Sequence, residues 1–396
     1  MKDYFFSVFK TNPLELKGLN GIRGIAFFMV IYTHMFRPYK YFGFYEPNVW
    51  IENFLNNGSL CMDAFFVLSG YLIGGQLLKE KIKTNAINYG NFLTKRVLRI
   101  FPPYYLFLTF QFIFIYNLSK IATDELVRTE SAQLVKRVIW DYTYMSDYFA
   151  GIMIHGWSLS VEEKFYILLP ILLFFILKLK RPKQILLSLG TLVIIPTITR
   201  SIHFSLISPE NLNFGTYTGA FYYPFHSRMD GLFLGVLIAA VQIYYPDWIS
   251  KFLKNKFSFH AVILSVTSLF AIMFLTTEDK PELFTCVFRF LVASIAWSVI
   301  LIKTFDENSW TSKVLSVPVF SPVAKLSYCA YIIHLLALGA LSRKFIGYHK
   351  IYYYEIFLWT IPIGVMILGY AYFYYLLTEK PFLALRNRLL SQKKLG

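Results

Sequence analysis

The chain has 396 residues, of which 56% are hydrophobic and 16% charged, with a mean hydropathy of +0.49. Soluble domains carry about 25% charged residues and disorder needs low hydrophobicity with high charge, so both an ordinary soluble enzyme and a disordered chain are excluded. What remains is an all-α polytopic membrane protein, and its formal charge of +16 asks first where the cations sit relative to the bilayer.

The opening, MKDYFFSVFKTNPLELKGLNGIRG, has no apolar stretch ending at a small-residue cleavage site, so no cleavable signal peptide is expected. A hydrocarbon core about 30 Å thick needs roughly 20 apolar residues per helix. On that length ten spans are expected, near 21–36, 60–78, 101–118, 157–177, 184–203, 228–245, 258–276, 284–302, 322–342 and 356–377. The first and fourth are the least uniform, because each carries several ionisable residues. One membrane domain over 1–396 is expected, with a short basic tail at 378–396 and no internal repeat.

With the amino terminus placed inside, the cytoplasmic segments hold 23 Lys and Arg and the opposite side 10. This bias predicts that both termini are cytoplasmic and accounts for the positive charge without nucleic acid as a partner. The two long outer loops, 119–156 and 204–227, read as interfacial or re-entrant pieces shaping an outward cavity. Cys61, Cys286 and Cys329 lie in apolar runs and form no metal-binding pattern, so neither a disulfide framework nor a metal site is expected.

Ionisable residues inside spans are functional candidates. Arg23 and His34 are 11 residues apart, about three turns plus 20°, so they share a helix face with a rise of about 16 Å. Arginine suits a phosphate, and a neutral imidazole suits proton abstraction from a hydroxyl. The bland alternative is a snorkelling arginine and a packing histidine. Asp63 at the outer end of the second span pairs with a cation or caps its helix. Ser69 and Gly70, near its middle, permit a close helix contact or a break at a ligand.

Arg96 and Arg99, at i and i+3 before a helix expected to begin at Pro102–Pro103, either hold a polyphosphate or mark an ordinary cytoplasmic flank. In HGWSLSVEEKFY, Ser158 and Glu162 share a face beyond Trp157, while Glu163 points about 100° away. One glutamate would orient an imidazole or pair with an arginine and the other would be solvated. The alternative is an acidic helix start favoured by the dipole. His155 reads as a loop residue as readily as a site residue, and Arg228, Asp230 and His334 each have a plausible packing role.

Together these segments resemble the membrane acyltransferase-3 family, integral-membrane O-acyltransferases of extracytoplasmic glycans. The resemblance runs from the first helix to TEKP at 378–381. It rests on Arg23-x10-His34, FFVLSGY at 65–71, KRVLRIFPPYY at 95–105, HGWSLSVEEKFY at 155–166, RMDGLFLG at 228–235 and LSYCAYIIH at 326–334. Lys164 departs from the glutamine often found after the paired glutamates.

The resemblance implies an acyl-CoA donor, usually acetyl-CoA, entering from the cytoplasm as co-substrate, with no tightly bound cofactor. Arg23, Arg96 and Arg99 would neutralise its phosphates, and His34 and Glu162 match the family's essential histidine and motif glutamate. Asp63, Ser69, Trp157, Ser158 and Glu163 would support the site. The acceptor would be a hydroxyl of a surface polysaccharide or glycolipid, reached within a bacterial cytoplasmic (inner) membrane among its lipids. Some relatives carry an added hydrolase-like domain, so acceptor choice is expected to lie in the membrane domain or a separate partner. His34 would act as general base or as an acyl relay. The rival class is a secondary transporter using the same charges as a pathway. Against it stands the absence of any echo between 21–203 and 228–377, and CoA release from labelled acetyl-CoA discriminates the two.

Overall fold

Long apolar runs punctuated by Asn, Pro and charged residues leave the backbone one way to satisfy its polar groups in a bilayer, which is to coil. A computed structural model describes residues 2–6, 8–9 and 16–392. Its main helices are α1 (Lys17–Phe42), α2 (Cys61–Thr84), α3 (Tyr89–Ile121), α4 (Glu125–Tyr142), α5 (Gly156–Ile176) and α6 (Pro182–Leu206). They continue as α7 (Asp230–Tyr244), α8 (Phe257–Leu275), α9 (Arg289–Lys303), α10 (Phe320–Phe345), α11 (Tyr353–Thr378) and α12 (Lys380–Gln392). Among the described residues no strand forms, and a single parallel bridge joins Phe44 and Ile351.

Seven helical stretches are long and apolar enough to cross a membrane. They contain α2, α3, α6, α8, α9, α10 and α11. An eighth passes only when α7 is taken with Pro246–Lys254, and that pair is bent by 99°. Helices α1 and α5, the two least uniform of the ten expected segments, fall outside the seven. They give up apolarity to Arg23, His34 and Arg37 in one and to Ser158, Glu162, Glu163 and Lys164 in the other.

Helix α3 differs from expectation. It starts at Tyr89, capped by the Asn88 side chain, which accepts from Asn91 N, and runs straight through Pro102 and Pro103. The prolines free the carbonyls of Leu98 and Arg99, and the flanking turn is held from neighbouring helices, Tyr328 donating to Ile100 O at 2.6 Å and Tyr374 to Pro103 O at 2.5 Å. In the loop expected to lie outside, α4 presents most of its side chains to the surroundings and buries only Ser131 and Asp141. The expected tail folds as α12 up to Gln392, while Lys10 and residues 393–396, counted in the charge bias, lie outside the described residues.

Two apolar cores meet along a seam. One gathers α2, α5, α6, α7 and α9, and the other gathers α3, α10 and α11, with α1 contributing to both. Packing within the first core is close because glycines face each other across α2 and α7. A Cβ on Gly70 would lie 1.8 Å from Leu232 O, and one on Gly235 would lie 2.2 Å from Val67 O. Gly70 therefore serves helix contact, not a break. Arg23, Ser69, Arg96, Glu162 and Ser327, from α1, α2, α3, α5 and α10, line one space.

Candidate active site

On one side of the seam lies a cavity of about 370 Å³, lined by Arg23, Ser69, Gln76, Arg96, Arg99, Ser158, Glu162, Glu163 and Tyr166. Three arginines from α1 and α3, distant in sequence, thus face one space. Arg96 donates to Gln76 Oε1 at 3.3 Å and stands 5.8 Å from the ring centroids of both Phe92 and Tyr166. Arg99 reaches Glu379 of the TEKP segment at 3.8 Å, and that carboxylate also accepts from Cys329 Sγ at 3.3 Å. A cavity with several guanidinium forks and an apolar floor suits a phosphorylated carrier.

A chain of hydroxyls crosses the cavity wall. Tyr166 Oη donates to Glu162 Oε2 at 3.0 Å, so Ser69 Oγ donates to Tyr166 Oη at 2.9 Å. Glu162 thus anchors a tyrosine; no imidazole is bonded to it among the described contacts. One of the paired glutamates was expected to be solvated, but both line the cavity and Glu163 is buried. Lys164 is half-buried and ties α5 to the preceding loop, donating at 2.5 Å to both Asp147 Oδ1 and Tyr144 O.

Beyond Met62 and Tyr331, which belong to both spaces, a second cleft holds His34, Arg37, His155, Trp157, Tyr222 and Tyr223. Three imidazoles meet here. The His34 and His334 rings are 4.9 Å apart and those of His155 and His334 are also 4.9 Å apart. Each is held through one nitrogen by a backbone carbonyl: His34 Nδ1–H on Val30 O at 2.9 Å, His334 Nδ1–H on Tyr331 O at 2.5 Å, and His155 Nε2–H on Ile332 O at 3.0 Å. These bonds fix the tautomers and leave His34 Nε2, His334 Nε2 and His155 Nδ1 as lone-pair acceptors. The latter two are buried with no hydrogen-bond partner. Tyr331 bridges the two spaces, donating to His155 O at 3.1 Å while its hydroxyl meets Ser158 Oγ at 2.5 Å. Among the described residues no group of three His, Cys, Asp or Glu side chains is placed to hold a metal.

Three further arginines are paired with acids. Arg228 donates to Asp63 at 3.0 Å, Arg200 to Asp230 at 2.9 Å and Arg289 to Glu278 at 2.9 Å, all six side chains being buried. The three guanidiniums surround the Phe290 ring at 4.0, 5.1 and 5.7 Å. Asp63 and Trp157, which lies 5.7 Å from Arg228, thus brace the cleft wall. Of the residues singled out in sequence, Arg23, Ser69, Arg96, Arg99, Ser158, Glu162 and Glu163 share the cavity, whereas His34 and Trp157 line the cleft. Sequence reading passed over Tyr166, Tyr331 and Arg37. Arg37 stands one turn beyond His34, and that spacing was the available signal.

The acyltransferase domain model matches residues 16–377. The chain is 26% identical over 343 residues to O-acetyltransferase OatA of Staphylococcus aureus strain NCTC 8325 / PS 47, covering 82% of this chain and 50% of that protein. It is 25% identical over 393 residues to a putative O-acetyltransferase of Staphylococcus aureus strain COL, covering 93% and 57% respectively. The chain thus spans about half the length of these curated relatives. No solved structure matches it. With nearly all of its helices inside that match, the chain belongs to the membrane acyltransferase-3 family.

Proposed function

We propose that the protein transfers an acetyl group from cytoplasmic acetyl-CoA to a hydroxyl of a cell-surface or lipid-linked sugar, within a bacterial cytoplasmic membrane and with both termini inside. The observation that carries this reading is the common wall, Met62 and Tyr331, between an arginine-lined cavity and a cleft of imidazole lone pairs. The 23-to-10 split of basic residues supports placing the arginines on the cytoplasmic side. The names of the relatives support an acetyl group and an oxygen acceptor.

In this mechanism Arg23, Arg96 and Arg99 bind the CoA phosphates, and the thioester arm runs past the Ser69–Tyr166–Glu162 chain towards Tyr331. The acceptor hydroxyl donates to His34 Nε2. Its oxygen attacks the thioester carbonyl as His34 takes the proton. The C–S bond then breaks, and the proton passes from His34 to the departing thiolate. The bond from Nδ1–H to Val30 O holds the ring and stabilises the transient imidazolium. CoA need not cross the bilayer.

The test is incubation of purified protein with labelled acetyl-CoA and cell-surface glycan. Acceptor-dependent CoA release with labelled glycan is expected, and intact acetyl-CoA throughout would overturn the reading in favour of transport. Label retained on the protein before acceptor is added would change His34 from base to acyl relay.

A further inference from the structure

The outer cleft contains a cation that the transfer chemistry does not use. Arg37 lies one turn beyond His34 and lines the same cleft. Its one bond to an acid is a long one, 3.5 Å from Nη2 to Glu278 Oε2, and its Nε is buried with no partner. Glu278 is already satisfied without it. Its Oε1 accepts from Arg289 at 2.9 Å and from Ser59 at 3.0 Å, and Oε2 also accepts from Asn56 at 3.4 Å. Arg289 alone balances the charge of Glu278, so Arg37 adds an uncompensated positive charge beside the catalytic imidazole. The other nearby cation, Lys40, is paired with Asp279.

We infer that Arg37 is the recognition residue for a negatively charged group on the acceptor, so that the substrate class is an anionic sugar bearing a phosphate or carboxylate. This rests on the proposed transfer and names the acceptor of that site. The cleft itself has room for little more than a water-sized group, about 20 Å³, so the hydroxyl to be acylated enters while the rest of the sugar stays at the mouth. There the Arg37 side chain is 31% exposed. The guanidinium has its Nη1 outside any described bond, so its outer end can donate charge-assisted bonds to one phosphate or carboxylate, and that docking fixes which hydroxyl reaches His34 Nε2.

The experiment compares N-acetylglucosamine 1-phosphate with its neutral methyl glycoside, which carries the same ring hydroxyls, on wild type, Arg37→Gln, Arg37→Lys and Lys40→Gln. Binding is read by calorimetry in detergent without donor, and transfer is read with labelled acetyl-CoA. Wild type should bind the phosphate at least tenfold more tightly. Arg37→Gln should erase that preference while changing affinity for the neutral glycoside less than threefold. Arg37→Lys should restore part of it, and Lys40→Gln should leave it intact. Equal binding of the two sugars by wild type, binding of neither, or a preference surviving in Arg37→Gln overturns the inference whatever the transfer result. Preferential binding without any acetyl transfer upholds the anion site and overturns the proposed reaction instead.

Discussion

At the scale of single residues, the three imidazoles differ in burial and in position: His155 and His334 are buried, whereas His34 is half-buried. His34 lies on the helix that also carries Arg23 and Arg37, while His334 faces both His34 and His155. Replacing His34 with Ala should lower acetyl transfer about 10²–10⁴-fold, the usual effect of losing a general base, with acyl-CoA binding preserved. His334→Ala should act through His34 and cost less. Activity lost in His334→Ala but kept in His34→Ala, at matched membrane expression, would reverse the assignment. The arginines differ in a way their spacing does not reveal. Arg96→Ala should weaken acyl-CoA binding by about 1.5–3 kcal/mol and leave thermal stability unchanged. Arg99→Ala should weaken binding and also lower the melting temperature, because it strands the buried Glu379. Adding Glu379→Gln should recover the stability but not the affinity, as calorimetry and thermal melts on the double variant would show. Asp63→Ala strands Arg228, whose Nε and Nη1 already lack partners. Breaking one side of a buried ion pair costs about 3–5 kcal/mol. A melting temperature within error of wild type would mean that water already solvates that pair.

At the scale of elements, the approach of α2 and α7 sets the position of the cleft. Their glycines let each backbone touch the other, which brings Asp63 on α2 to Arg228 just before α7. Gly70→Ala places a methyl 1.8 Å from a backbone carbonyl, and that overlap cannot be relieved by rotating a side chain. Overpacking of this kind costs about 1–3 kcal/mol, and the helices must separate. Gly75, five residues further along α2, provides the control, since a Cβ there would meet the Ala239 methyl at 3.4 Å. Gly75→Ala should therefore be neutral or slightly stabilising, and a Gly70→Ala protein melting alongside it would show that α2 and α7 are not packed this closely. Helix α3 teaches the converse. Its paired prolines read as a helix start, yet the tyrosines of α10 and α11 bond to carbonyls around them and the helix continues.

For the whole molecule, orientation decides which face meets donor and which meets acceptor. Engineered thiols in 79–100 and 178–183 should resist an impermeant reagent applied to intact cells, whereas one in 119–156 should react; labelling at 79–100 would place the arginine cavity outside and remove its access to cytoplasmic acyl-CoA. Hydropathy, charge bias and helical periodicity are properties of local sequence. They were enough to establish an all-helical membrane chain, although seven helical stretches, not ten, are long and apolar enough to cross a membrane by themselves. The six ordered motifs were enough to name the family. Partnership across helices is a different kind of information. That His155 and His334, far apart along the chain, stand beside His34, that Asp63 belongs to Arg228, that Glu162 holds Tyr166 and that Arg37 has charge to spare depend on which helix faces pack together. In a bilayer those faces are selected by small-residue contacts such as Gly70 against Leu232 and by pairing of charges that lipid cannot solvate. Only the tertiary structure satisfies all of these at once, so it alone decided the chemistry of the site.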